Sequence, residues 1–283
     1  MAQAAIPYHR KVAQTPRREL AHHWMRRGKF WLLPLLLSDY GREIIDHKYD
    51  AFVTDRAYEN VPSGLLGPVG QLIDYVVLQQ DIHVGLRQRL QLVVEESAHV
   101  VRTLWAQGHP QVRMVSAPCG LARDLRAIWQ QLDRPTAARL RVHGLDLDER
   151  GDVLPTAQTL ANAIGMPLRT SRCDLLNTGQ CYRTLNYRPA HLLLSVGLTV
   201  WLTASQRGAL LLNYYDLLAP GGTLIIDLFH AHGASRFAAA LEMEVHYPKR
   251  EAFVEMLDRC GFRVEYSRTT PNRVNTLFVC RRQ

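Results

Sequence analysis

An α/β fold built on a mostly parallel sheet, preceded by a helical region, is what this sequence predicts, and three observations carry it. The apolar pattern changes near Gly108-His109-Pro110: before it apolar residues recur at three and four spacing, as in Leu86–Leu104, and after it short apolar runs alternate with helical segments. Val112–Ile128 reads as a buried strand, a tight Pro-Cys-Gly turn and a helix, and Leu140–Leu147 follows as a second strand with Asp146 at its carboxyl end. The last two strands are joined by a connection too short for a parallel crossover, so they should pair as a hairpin. The expected architecture is five parallel strands plus a C-terminal antiparallel hairpin, with a helical region over 1–107 and the sheet over 108–283.

The first region is helical from Arg17 to about Gln107, interrupted between Pro62 and Pro68. Beyond it the reading runs strand Val112–Ala117, helix Leu121–Gln131, strand Leu140–Leu147, helix Val153–Ile164 and strand Leu168–Arg172. A short helix near Gln180–Asn186, strand His191–Val196, helix Ala204–Leu218, a turn at Ala219–Gly222 and strand Thr223–Phe229 come next. Helix Lys249–Cys260 and strands Phe262–Arg268 and Asn275–Arg281 complete the order.

With 283 residues, 47% of them hydrophobic, the chain can bury one large core and an appended subdomain. The longest apolar run, Phe30–Leu37, contains Pro34 and is far shorter than the ~20 residues a membrane-spanning helix needs. No signal-peptide pattern opens the chain, which therefore reads as cytoplasmic. Cys119, Cys173, Cys181, Cys260 and Cys280 form no CxxC pair, and their odd number suits neither a disulfide framework nor a zinc site, so reduced thiols and no metal are expected. Six of the eight net positive charges fall in residues 1–30, on Arg10, Lys11, Arg17, Arg18, Arg26, Arg27 and Lys29 against Glu19. Such a cluster suits RNA, an anionic lipid surface or an acidic partner, with Trp24, Phe30 and Trp31 for stacking or insertion; a solvated arm explains it too, and no nucleic-acid recognition motif accompanies it.

Strand, glycine turn, helix, strand, acid is how an open parallel sheet holds a nucleoside: turn amides face a polar group and the acid accepts ribose hydroxyls. Aligned on Gly120, the turn has Ser116, Pro118 and Ala122 where an acid and two glycines are usual. Asp148, two residues past Asp146, suits a helix cap better.

This order of residues resembles the class I S-adenosylmethionine-dependent methyltransferases, a Rossmann-like family, over about Val112 to Arg282. Ser116, Ala117, Pro118, Cys119, Gly120 and on to Ala122 look like the family's glycine-rich motif; Asp146-Leu147 looks like its ribose-binding acid, and Asp174-Leu175 like the acid-apolar pair at the adenine. Ser195-Val196-Gly197 looks like the loop under the sulfonium, Leu218–Gly222 like the LxPGG turn, and Arg259–Phe262 like the AGF-like turn into the hairpin. The resemblance implies S-adenosylmethionine as cofactor, those residues as its binders, and residues 1–107 as a lid that closes over it.

In the loop-like stretch Ala57–Gly64, Tyr58 or Asn60 is placed to reach the methionyl end of the cofactor or the substrate; the candidate catalytic groups are Tyr58 and, as bases, His230 or His232 after the fifth strand. His246-Tyr247 and Trp201 are candidate pocket walls, core packing being the ordinary reading of Trp201. Glu242 and Glu244 suit a cationic substrate or a solvent face equally.

The leading expectation is methyl transfer to an oxygen, nitrogen or carbon of a small molecule, with a homo-oligomer compatible with the sequence. A second reading keeps the fold: with Ser116 in place of an acid, the cofactor's amine would be neutral and would close on its own γ-carbon, giving an azetidine-2-carboxylate-type ring and methylthioadenosine. A third makes the chain an RNA- or membrane-surface-binding protein through its basic N-terminus.

Overall fold

The computed structural model describes residues 16–64, 67–186, 188–233 and 235–283. Arg10 and Lys11 of the basic arm lie outside the described residues. The chain forms two compact units, one of residues up to Lys48 together with Pro62–Val77, the other of Tyr49–Val61 together with Leu78–Gln283.

In order, the N-terminal elements are α1 (Arg17–Arg26), a 3-10 segment over Phe30–Leu37, α2 (Asp39–His47), α3 (Ala51–Glu59), α4 (Gly67–Leu78) and the 26-residue α5 (Asp81–Ala106). The sheet region continues with β1 (Val112–Ser116), α6 (Arg123–Gln131), α7 (Arg134–Ala138), β2 (Leu140–Asp146), α8 (Val153–Asn162), β3 (Leu168–Arg172) and α9 (Thr178–Thr184). It closes with β4 (Ala190–Ser195), α10 (Ala204–Leu217), β5 (Leu218–Phe229), α11 (Ser235–Ala240), α12 (Arg250–Arg259), β6 (Phe262–Thr269) and β7 (Asn275–Arg282). The helical region expected over 1–107 thus contributes α3 and α5 to the sheet unit. Among the described residues no helix is long and apolar enough to cross a membrane.

In the smaller unit, Pro34 does not end the apolar run but sits inside its 3-10 segment. Asp74 on α4 has no exposed surface and accepts the Ser38 hydroxyl, the Ser63 hydroxyl at 3.0 Å and the amides of Ser63 and Tyr40 at 3.1 and 3.2 Å. Ser38 also caps α2 by accepting from Gly41 N. Burial alone would push the Asp74 carboxyl up; these hydrogen bonds outweigh it and hold the pKa below the usual carboxylate range. Trp24, read as a stacking residue, is buried at 3% exposure, because it faces inward from α1; Phe30 and Trp31 are exposed.

The sheet has the order β3-β2-β1-β4-β5-β7-β6, the first five strands parallel and β7 antiparallel to both β5 and β6. The alternation of the strands divides the core between the two faces. Met114, Leu192, Leu194 and Ile225 pack with α5, α6 and α8, while Val115, Leu193, Leu224 and Ile226 pack with α10 and α12. β5 starts earlier than expected: Ala219–Gly222, read as a turn, lies within the strand, which pairs Leu218 with Ala190 before a register shift. The expectation of five reduced thiols is also corrected, since Cys173 and Cys181 form a disulfide across the turn after β3, leaving Cys119, Cys260 and Cys280 free. An odd total does not prevent one local pair when eight residues fold back on themselves.

Candidate functional site

A cavity of about 300 Å³ opens at the carboxyl edge of the sheet, wholly within the larger unit. Its floor comes from the ends of β1, β2 and β4. β1 stops at Ser116, and the turn that follows is pinned by Ala117 N–H donating to Leu194 O at 2.8 Å and Cys119 N–H to Leu145 O at 2.9 Å. Gly120 adopts φ +48° and Ala122 φ +56°, a left-handed geometry that glycine enters without penalty. The Gly120 amide turns to Asp146, donating to Oδ2 at 2.8 Å, while Asp148 N–H donates to Oδ1 at 3.2 Å. The turn therefore presents its amide to the acid and not directly to a ligand. Asp148 itself caps α8, accepting from Val153 and Leu154. Burial raises the Asp146 pKa above its usual value.

Beneath the floor, Tyr214 donates to Ala117 O at 2.5 Å and accepts from Ser195 Oγ at 3.0 Å, so one α10 side chain ties the ends of β1 and β4. Ser195 is committed to that bond. Cys119 is buried against Gly144, where an added Cβ would meet its sulfur at 2.7 Å, and loss of hydration pushes its thiol well up. It is an inert packing group.

The side wall is an ionic network that sequence reasoning missed. Asp227 of β5, with no exposed surface, accepts from Arg89 Nη1 at 2.6 Å and from Gly197 N–H at 2.9 Å. Arg89 of α5 also donates through Nη2 to the Tyr58 hydroxyl at 2.6 Å and lies 5.2 Å from the Phe229 ring centre. Burial opposes the guanidinium charge, but Tyr58 and Asp227 outweigh it and raise the Arg89 pKa. Gly197, at φ +84°, faces this cation closely, a Cβ there standing 3.3 Å from Nη1. Two signals were in the sequence: Arg89 falls on the buried stripe of Leu86 and Val93, and Asp227 interrupts an otherwise apolar strand. On the opposite side Arg123 grips Asp55 of α3 through two bonds of 2.5 and 2.7 Å, fastening α3 to α6.

Of the residues expected to bind or react, Tyr58, Pro118, Cys119, Gly120, Asp146, Val196 and Gly197 line the cavity. Ser116, Ala117 and Ser195 lie buried behind it, and Leu147, Asp174 and Leu175 are not in its wall. Asp174 is exposed and accepts from Leu176 N–H at 3.0 Å, closing a turn next to the disulfide. His230 does not border the cavity. Its N–H donates to Val274 O and its Nε2 lies 2.7 Å from Thr276 Oγ1, because β7 pairs along this end of β5 and draws the ring toward it. Burial lowers its pKa and that of His232. Asn60 ends α3 in a left-handed turn and accepts from Gln79. The rest of the wall is mostly apolar, with Leu86, Leu90, Trp201, Phe229 and Val245 beside the polar Tyr49, Thr54, Asp124 and Tyr247, so Trp201 borders the cavity.

The fold has solved counterparts. A possible exported protein from Bordetella parapertussis matches with TM-score 0.70 at 20% identity, covering 89% of this chain and 86% of that one. Magnesium protoporphyrin IX methyltransferase from Synechocystis PCC 6803, with bound S-adenosylhomocysteine, matches with TM-score 0.55 at 16% identity over 85% and 97%. The fold is that of the S-adenosylmethionine-dependent methyltransferases. An O-methyltransferase family protein from Burkholderia thailandensis shares this methyltransferase fold, with TM-score 0.54 at 15% identity over 94% of this chain and 70% of that one. No protein-family model and no curated protein matches the sequence.

Proposed function

We propose that the protein is an S-adenosylmethionine-dependent methyltransferase acting on an apolar small molecule. The observation that carries this reading is Asp146, a carboxylate at the carboxyl end of β2 whose two oxygens hold one backbone amide each and border a cavity. Each oxygen keeps a lone pair for one of two neighbouring ribose hydroxyls, which is the donor set such an acid recognises.

When bound, S-adenosylmethionine supplies an electrophilic methyl group. The chain's own residues bind, orient and exclude water. Asp146 holds the ribose, and Gly197 leaves room beside Arg89 that a side chain would fill. Leu86, Leu90, Trp201 and Phe229 surround the acceptor with apolar surface, which removes water from the nucleophile and aligns it. Tyr58, its oxygen held by Arg89, keeps its own proton for an acceptor oxygen or nitrogen.

The cyclisation alternative rested on a turn without an acid. Asp124 lies on the cavity wall with Oδ2 3.2 Å from Ser116 Oγ, so a carboxylate does stand beside that turn.

Isothermal titration with S-adenosylhomocysteine tests the proposal. Micromolar binding that falls at least tenfold in Asp146→Ala is expected, since each hydrogen bond to a charged acceptor is worth about 1.5–3 kcal/mol. No heat with either S-adenosylmethionine or S-adenosylhomocysteine would end it. Incubation with labelled cofactor and a metabolite extract, read by mass spectrometry, identifies the acceptor.

A further inference from the structure

The smaller unit carries a surface that the cavity does not use. α1 ends in a tight reversal, with Gly28 at φ +66°, its N–H donating to Met25 O at 3.2 Å and the Lys29 N–H to Trp24 O at 2.8 Å. The chain passes at once into the 3-10 segment Phe30–Leu37, where side chains three apart stand one above another. Leu32 and Leu35 form the row that faces the core. Trp31, Pro34 and Leu37 form another row, and all three are exposed, Trp31 at 56% and Leu37 at 46%. Phe30 adds an apolar side chain at the start of this ridge, 60% exposed. The ridge is fixed at both ends, by the α1 reversal before it and by Ser38 after it, whose hydroxyl is bound to Asp74. No charged residue lies within Phe30–Leu37.

Positive charge borders the ridge. Arg17, Arg18, Arg26 and Arg27 are exposed and Lys29 is half-buried, against the one carboxylate of Glu19 in Arg17–Lys29. We propose that α1 and the 3-10 segment dock the protein on an anionic lipid surface, with Trp31, Pro34 and Leu37 entering the acyl boundary and the α1 arginines remaining at the headgroups. An apolar edge ordered in advance loses little freedom on docking, and cations on long stems reach headgroups beside it. RNA needs flat groups to stack on its bases, whereas Trp24 is buried and Pro34 and Leu37 offer aliphatic surface. A second copy meeting this face through its own would bring like charges together. None of these residues borders the cavity, so the docking surface stands apart from the cofactor reading.

Vesicle flotation with the full chain tests this, comparing phosphatidylcholine alone with phosphatidylcholine containing phosphatidylglycerol. Binding at least about tenfold stronger to the anionic vesicles is expected, falling as salt rises from about 0.05 M to about 0.5 M. Arg18→Gln with Arg26→Gln should weaken it about twenty-five-fold, at about fivefold for each cation near the surface. Trp31→Ser with Leu37→Ser should weaken it about tenfold or more and leave the salt dependence in place. No binding to anionic vesicles, equal binding to both kinds, or binding that neither pair of substitutions changes overturns the proposal. Should either variant fail to fold by circular dichroism, wild-type protein decides: its tryptophan emission must move to shorter wavelength on anionic vesicles and not on neutral ones, and no shift overturns the proposal. Wild-type protein that binds single-stranded RNA but no vesicle, or that forms a dimer dissolved by Trp31→Ser and binds no vesicle, gives the ridge to that other occupant and overturns it too.

Discussion

Replacing Arg89 tests the wall of the cavity most directly. Asp227 is fully buried, and its carboxylate has two donors, Arg89 at 2.6 Å and the Gly197 amide at 2.9 Å. Arg89→Met fills most of the stem's volume but strands the carboxylate with the amide alone, at a cost of about 3–5 kcal/mol for breaking a buried pair. Asp227→Asn keeps an oxygen for Gly197 and strands the guanidinium, with a cost of similar size. The double variant carries neither charge, so it should be less destabilised than the sum of the single variants by about 2–4 kcal/mol. Urea denaturation of all four proteins, with the m-value checked for constancy, gives the cycle. Single losses that add to within ~0.5 kcal/mol would show that the two residues are not coupled, and the network would have to be abandoned as the wall's support.

Asp74→Ala should destabilise the smaller unit by about 2–4 kcal/mol, since it orphans the Ser38 and Ser63 groups, as read by hydrogen exchange of α2 and α4. Because the folded pKa of Asp74 is lowered, its contribution is complete above the unfolded carboxylate range near pH 4 and is lost as pH falls through the folded value; acid titration of the variant should show a shallower loss than wild type. Cys173→Ala with Cys181→Ala should lower stability by about 2–3 kcal/mol on the loop-entropy scale, measured by thermal melting, with reductant producing the same shift in wild type and none in the variant. Tyr214→Phe should cost about 1–3 kcal/mol by leaving Ala117 O and Ser195 Oγ without their partner, and should weaken nucleoside binding because the turn over it loosens.

The sheet was legible because its strands are short apolar runs separated by turn residues and helices, a pattern that leaves few topologies open. Asp146 was legible from its place at a strand end. The ends of elements were less so: Ala219–Gly222 carries turn chemistry, yet the neighbouring Ala190 offers it a pairing partner that local sequence does not reveal. His230 looked reactive by position alone, and only the pairing of β5 with β7 shows that Thr276 engages it. Arg89 and Asp227 stand 138 residues apart, so nothing in the local sequence pairs one with the other. The disulfide was hidden by counting cysteines across the chain when the deciding fact was one local fold-back.

Helix α5 extends for about 39 Å at 1.5 Å per residue. Near one end it carries Arg89 into the ion pair with Asp227; toward the other, Val101 and Leu104 are packed in the core, and Arg102 is bonded to Gln131 O. A beam riveted at both ends cannot act as a door. Of the residues that border the chamber, Ala238, Met243, Val245 and Tyr247 belong to a stretch that holds only the six-residue α11, and substitutions that stiffen it should slow exchange without altering what is held inside.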